Sequence, residues 1–285
     1  MPVRRALPGH EVMMGNTPIK QPIPTASVDQ IGPFLLLHHH AGEIQAGSDR
    51  WNTGVGPHPH RGFSPVTFMY QGGVHHRDSR GNNSVVTEGG VQWMDVGMGI
   101  VHSERPPAAL CETGGIQEII QLWVNLPAAN KMMQPVYIPL QKDEMPEVEG
   151  HPDLRIVSGS PVPSGATGPL KSAYPIDTMH GTTSTEPLHF QVGEGQAAFL
   201  YLLSGGGRLE GYGLVEEHML YELTPGSYTF EPSQATKILF ASATPIQEKV
   251  ESYGPFVMNN QTEIMEAMRD YQMGKMGMLV ERDLD

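Results

Sequence analysis

Pro57-His58-Pro59-His60 and Gly97-Met98-Gly99-Ile100-Val101-His102-Ser103-Glu104 decide how this chain is read. Each offers two ligand-type side chains at i, i+2 spacing, and alternate residues of a β-strand face one side, roughly 6.5–7 Å apart. Two such strands side by side point three imidazoles (His58, His60, His102) and one carboxylate (Glu104) at a single centre. The prolines around His58 and His60 cannot donate to a ladder, which places them on an edge strand or at a strand's start. The glycines before His102 let the backbone turn tightly into its strand. Three His and one Glu form a mixed nitrogen and oxygen set, suited to iron, manganese, nickel, copper or zinc rather than calcium or magnesium. The two patterns therefore predict a transition-metal site with open coordination positions.

Working outward, the flanking sequence is a series of short strands. Residues 66–70 end at Gln71-Gly72-Gly73, and residues 84–87 sit between Arg80-Gly81-Asn82-Asn83 and Glu88-Gly89-Gly90. Residues 116–125 form another strand, with Ile119, Gln121 and Trp123 on one face. Turn signals every 8–12 residues or so, in a chain with 33 Gly and 25 Pro, predict an all-β sandwich or barrel. The stretch 127–169 carries eight prolines and reads as a surface connector, with an edge strand at Arg155-Ile156-Val157. The domain change falls within it, giving domains 1–130 and 131–285. The second half repeats the rhythm: residues 197–203, the turn Ser204-Gly205-Gly206-Gly207, then 221–223 and 236–241. This echo indicates an internal duplication, two β-barrels in tandem. Where the duplication would place ligands, the second barrel offers Gly195-Gln196-Ala197 and Lys237-Ile238-Leu239, so it is expected to be metal-free. Residues 261–271 have helical periodicity with Asn260 or Thr262 as cap, predicting one short C-terminal helix against a barrel.

Bulk properties narrow the function. A net charge of −13 without a basic block argues against direct nucleic-acid binding. The single cysteine, Cys111, excludes an intrachain disulfide and every multi-Cys zinc motif, and fits a reducing compartment. It reads as a buried structural thiol, since no helix N-terminus or neighbouring cation activates it. Arg4-Arg5 has no apolar run behind it, so no signal peptide is read, and the apolar runs at 34–37 and 197–203 are too short to span a bilayer. A cytoplasmic monomer is the expectation. His38-His39-His40 is a consecutive run whose side chains alternate faces, so these read as surface or pocket-rim histidines. His75 and His76, with Asp78, stand beside a turn from which a hydrogen bond to a metal ligand is open. Phe63, Phe68, Trp93, Met94 and Met98 lie near the ligands in sequence and suit an apolar chamber or plain core.

The wording of these stretches resembles the pirin family of the cupin superfamily. The resemblance is carried by Pro57-His58-Pro59-His60-Arg61-Gly62-Phe63, Val91-Gln92-Trp93-Met94, the glycine-led stretch to Glu104, Gln121-Leu122-Trp123-Val124-Asn125-Leu126 and Tyr253-Gly254-Pro255-Phe256-Val257-Met258-Asn259. It implies a bicupin, two jelly-roll-like barrels with one Fe2+ in the N-terminal barrel, for which other divalent transition metals can substitute. By the family pattern His58, His60, His102 and Glu104 hold that iron. Many pirins carry Glu-Thr where this chain has Ser64-Pro65, which leaves Glu104 as the only carboxylate for the site. They also often carry acidic and aromatic residues where this chain has His38-His39-His40. Some members are similar to quercetin 2,3-dioxygenase, which implies a mononuclear non-haem iron dioxygenase acting on flavonol- or catechol-like aromatics, with Glu104 doubling as catalytic base. Others are similar to regulators, so the alternative is a redox-sensing metalloprotein that binds a transcription factor or a metabolic enzyme. A third reading is a metal-binding cupin without chemistry. The implied partner is a small aromatic substrate or a protein, with no direct nucleic acid and no membrane.

Overall fold

The structure, a computed structural model, describes residues 1–15 and 17–281. In chain order the first strands are β1 (Val3–Pro8), β2 (His10–Met14), β3 (Thr17–Ile23), β4 (Phe34–Ile44), β5 (Val55–His60), β6 (Phe63–Gln71), β7 (Gly73–Asp78), β8 (Asn83–Thr87), β9 (Val91–Asp95) and β10 (Ile100–Arg105). Helix α1 (Ala108–Thr113) follows, then β11 (Gly115–Asn125), β12 (Val136–Leu140), β13 (Glu147–Val148), β14 (His151–Ser158), β15 (Asp177–Thr182) and β16 (Leu188–Val192). The chain continues through β17 (Ala197–Ser204), β18 (Gly206–Leu209), β19 (Gly213–Glu216), β20 (Met219–Leu223), β21 (Gly226–Pro232), β22 (Lys237–Ala243), β23 (Glu251–Tyr253) and β24 (Phe256–Met258) to helix α2 (Gln261–Gln272). The chain is all-β with a short C-terminal helix. None of its described helices is long and apolar enough to cross a membrane.

Contacts sort the chain into two compact units built from interleaved segments. One holds Met1–His40, Ile120–Leu122 and Gln141–Pro245; the other holds Ala41–Ile119, Trp123–Leu140 and the chain from Ile246. In the second of these, β5-β10-β7-β8 form one sheet and β12-β9-β6-β11 run side by side in another. Every residue of β9 and all but the last of β6 are buried, as apolar runs flanked by glycine turns should be. Side chains of β10 hydrogen-bond to those of β6 and β9, so the two sheets face each other across one interior.

Helix α2 belongs to this unit. Asn260 caps it, its side chain accepting from the Glu263 amide at 3.0 Å. Ile264 and Ala267 pack with Val101 and Phe256, and Asp270 accepts from the buried Arg61 guanidinium at 3.1 Å. Helix α1 was not foreseen. Its flanks carry the relevant signals, Pro107 before it and Gly114 at φ 72° after it. Cys111 is buried on α1, where burial raises its thiol pKa above the ordinary value.

The other unit repeats the two-sheet plan with β1-β20-β17-β22-β15-β14-β13 and β16-β21-β18-β19. The proline-rich stretch is more ordered than a connector, since it contains β12, β13 and β14. The strand around Arg155-Ile156-Val157 is no edge: β14 runs between β13 and β15, and its side chains from Leu154 to Ser158 are buried. By strand order, β16 and β21 hold the places that β5 and β10 hold in the unit that carries the histidine motifs. The equivalent positions are therefore not 195–197 and 237–239. They lie on β16 and β21, whose buried side chains include Leu188, Phe190, Tyr228 and Phe230, paired Leu188 to Phe230 and Phe190 to Tyr228. Phe190 and Tyr228 stack at 5.2 Å and join Leu200, Leu202 and Phe240 in one apolar cluster. Each such buried side chain contributes roughly 1.5–3 kcal/mol. This barrel uses its interior for packing.

Candidate metal centre

Strands β5 and β10 are antiparallel neighbours, with His102 opposite His58 and Ile100 opposite His60. The register shifts between His102 and Glu104, where Gly56 and Pro57 together oppose Ser103. Such a bulge bends a strand and re-aims its side chains. The three histidines lie in the unshifted part of this ladder and form a compact triad. Ring centroids lie 4.8 Å apart for His58 and His60, 4.3 Å for His58 and His102, and 5.0 Å for His60 and His102.

Hydrogen bonds fix the orientation of two of the rings. His58 Nδ1–H donates to the Gly56 carbonyl at 2.8 Å, and His60 Nδ1–H to the Pro255 carbonyl at 3.3 Å. With the protons on Nδ1, both Nε2 atoms carry lone pairs, and they approach to 3.1 Å. Two lone pairs at that distance repel unless something positive lies between them. Two nitrogens each about 2.1 Å from one ion and at right angles lie about 3 Å apart, so the spacing is that of neighbouring ligands. His102 is fully buried, and neither of its ring nitrogens has a hydrogen-bond partner. A buried polar atom left without a partner is costly, and a cation satisfies it. Burial first, then the neighbouring His58, holds the pKa values of His60 and His102 well below the ordinary imidazole value. Neutral imidazole is the form that binds a metal.

Among the described residues these three histidines are the group that can hold a metal ion, their ligand atoms lying within 4.8 Å of one another. Glu104 lies on the His102 face of β10, opposite His76 of β7. Its Oε1 accepts from the Thr67 hydroxyl at 3.0 Å and from the Gln92 side-chain amide. Gln92 also donates to Thr67 at 3.2 Å, closing a three-membered polar group. Sequence reasoning assigned no role to Thr67 or Gln92. The signal available was a polar side chain inside strands that are buried along almost their whole length. Ser64 is committed elsewhere, donating to Asp95 at 2.7 Å beside the Trp93 indole N–H.

Around the triad the walls are aromatic. Phe63 and Trp123 lie 4.3 Å apart and both contact the His60 ring, at 5.1 and 5.4 Å. His76 is fully buried with its ring 5.5 Å from His102. Its Nε2–H donates to Asp78 rather than to any of the triad, at 3.1 Å. Burial opposes ionisation of Asp78, but His76, Asn82 and the Arg80 amide outweigh it and hold its carboxyl below the ordinary range. Tyr137 stacks on His76 at 4.0 Å and shares a hydrogen bond with Ser84 at 2.7 Å. Burial, with Glu104 and Asp78 nearby, pushes the Tyr137 hydroxyl up, so it stays protonated.

The consecutive histidines lie in the other compact unit. His38 donates to Gln21 at 2.8 Å, and burial lowers its pKa to about 4. His39 is buried against the Tyr201 hydroxyl at 3.0 Å, so it is a core residue rather than a rim one.

Residues 16–124 match the family model described as Pirin, and residues 182–277 the one described as Pirin C-terminal cupin domain. A pirin-like protein of Solanum lycopersicum is 34% identical over 91% of this chain and 87% of its own. The crystal structure of a quercetin 2,3-dioxygenase from Acinetobacter baumannii superposes with a TM-score of 0.87 at 31% identity, covering 98% of this chain and 99% of that one. A bacterial pirin from Escherichia coli in complex with nickel(II) shares the fold, with a TM-score of 0.65 at 18% identity over 85% of this chain and 99% of that one.

Proposed function

This chain belongs to the pirin family, and on that premise we propose that it is a mononuclear iron dioxygenase acting on flavonol-like aromatic substrates in the cytoplasm. The observation that carries the reading is the convergence of three imidazoles, one of them buried with no partner for either nitrogen. His58, His60, His102 and Glu104 are the proposed ligands of one Fe2+ per chain. When bound, the metal supplies Lewis-acid chelation of a flavonol's hydroxyl and carbonyl oxygens and a site for oxygen activation.

The chain's own residues supply the rest. Phe63 and Trp123 pack against each other and against the His60 ring, giving the chamber an apolar aromatic side suited to an aromatic substrate. Glu104 is the base assigned to the substrate hydroxyl proton, because it is the carboxylate on the His102 face of the strand. Gln92 and Thr67 hold that carboxylate in one orientation. The fully buried His76–Asp78 pair and the protonated Tyr137 close the chamber on the β7 side and keep water out of it. The reaction adds both atoms of dioxygen to the flavonol and releases carbon monoxide, leaving a depside.

Oxygen consumption by the iron-loaded protein with quercetin tests this. Expected are loss of the flavonol's long-wavelength absorption, release of carbon monoxide, and abolition of both by His102→Ala. Uptake no faster than with free iron overturns the dioxygenase reading. The same centre would then serve a redox-responsive regulator, and a difference in protein-partner binding between ferrous and ferric forms would establish it.

A further inference from the structure

Ser103 and Arg105 alternate with His102 and Glu104 on β10, so they face away from the histidines, and Ser103 pairs in register with Arg77 of β7. Residues 276–281 lie along this outer face. Met276 is fully buried, Met278 and Val280 are exposed, and Glu281 is buried again. Met276 occupies the space above Gly99, and its carbonyl accepts from the Ser79 hydroxyl at 2.7 Å. Leu279 packs into the apolar group that includes Val101. Arg105 grips the Glu281 carboxylate with Nε and Nη2, at 3.1 and 2.8 Å. Arg77 Nη1 donates to the Glu281 main-chain carbonyl at 2.8 Å. Side chains of this unit thus hold the segment at alternate positions, 279 and 281, and at the main-chain carbonyls of 276 and 281.

The clamp has supports that do not depend on its occupant. Arg105 Nη1 also donates to the Thr53 carbonyl at 3.0 Å, and the Arg77 guanidinium lies over the Trp51 ring at 5.2 Å. Both cations therefore keep their places when the carboxylate leaves. Neither tolerates that state for long, because a buried charge without a counter-charge is costly. The bidentate carboxylate that Arg geometry favours is the natural replacement. The occupant must then be an extended segment bearing a carboxylate, with an apolar residue placed for the Leu279 position.

The geometry points to a peptide-recognition site on the outer face of β7 and β10, whose ligand is an extended segment with a leucine two residues before a glutamate. The chain's own residues 276–281 fill it in cis, and a partner protein's segment of the same chemistry takes it by displacing them. The surface is separate from the metal chamber, and the site does not depend on what reaction the metal performs.

The probe is the acetylated, amidated peptide Met-Gly-Met-Leu-Val-Glu, labelled and titrated into the full chain by fluorescence polarisation. Glu281→Ala, which vacates the clamp, should bind it about tenfold more tightly than the wild-type chain. A peptide with Gln in place of Glu, or the double variant Glu281→Ala with Arg105→Ala, should lose that gain. Equal binding by the wild-type and Glu281→Ala chains, or by the Glu and Gln peptides, overturns the proposal. Hydrogen exchange needs no variant and covers the case in which Glu281→Ala does not fold. Excess unlabelled Glu peptide should speed exchange of the amides of residues 279–281 in the wild-type chain, and the Gln peptide should not. Exchange unaltered by the Glu peptide also overturns the proposal.

Discussion

Gln92 donates its side-chain amide to the carboxylate of Glu104, so a neutral residue on one sheet orients the acidic residue on the sheet facing it. Thr67 donates to the same oxygen at 3.0 Å. Side chains that orient a metal ligand commonly cost about 10–100-fold in metal affinity when removed. Gln92→Leu keeps the volume and removes both donors, and Thr67→Val removes the hydroxyl. Each should weaken iron retention by about that factor against a competing chelator. Unaltered affinity in both variants would mean that Glu104, as these two side chains hold it, is not a ligand of the iron.

His102 offers a second test, one that separates metal binding from folding. Its side chain is fully buried with two unpartnered nitrogens, so the metal-free protein carries that cost in the folded state. In His102→Ala a cavity penalty of about 2 kcal/mol is offset by relief of buried polar groups worth about 1–3 kcal/mol each. Metal-free variant and metal-free wild type should therefore unfold within about 2 kcal/mol of each other. Added metal at 100 times its Kd should stabilise the wild type by about 2.7 kcal/mol and leave the variant unmoved. Denaturant melts with and without metal decide it. A variant that still gains stability from metal would remove His102 from the ligand set.

These two tests rest on parts of the site that were unequally legible in the sequence. The His58-x-His60 and His102-x-Glu104 spacings were readable because β-strand alternation turns i, i+2 into one face. That His58 and His102 are directly opposite is a register fact, invisible in either motif alone. Gln92 could be quoted as part of a motif, yet its partner Glu104 comes from a strand of the other sheet, a contact no local pattern encodes. Position matching between the repeats failed for a similar reason. Glycine turns suggested 195–197 and 237–239, whereas strand order selects β16 and β21. The short helix α1 hid inside a β rhythm, because six residues are too few for a periodicity to declare itself.

Lys131 supplies a prediction in pH. Its ammonium is buried, donating to the Gly62 carbonyl at 2.7 Å, to Asn125 Oδ1 at 2.6 Å and to the Val257 carbonyl at 3.1 Å. Burial is the dominant effect and lowers its pKa from 10.5 to about 8, with Glu248 and Glu263 opposing. Between those two values the unfolded chain holds a proton that the folded chain has released. Stability then rises with pH through that window, at up to about 1.4 kcal/mol per pH unit. Lys131→Met removes the titration. The stability of the wild type relative to this variant should therefore climb by about 1–3 kcal/mol from pH 7.5 to pH 10.5. A flat difference in urea melts across that range would show that the lysine titrates alike in both states.

Glu104→Gln addresses whether the carboxylate belongs to the metal. The substitution keeps the length of the side chain and removes its negative charge. If Glu104 is a ligand, ferric iron loses more than ferrous iron from the exchange, because the more highly charged ion gains more from an anionic donor. The reduction potential should then rise and iron affinity should fall, the ferric form being hit harder. If Glu104 instead serves only as acceptor for Gln92 and Thr67, a Gln at 104 can turn its carbonyl to the same donors, and the potential should stay near that of the wild type. Spectroelectrochemical titration of the iron-loaded variant against wild type separates the two. An unmoved potential with unmoved affinity would reduce the centre to the three histidines, with solvent or substrate filling every remaining position.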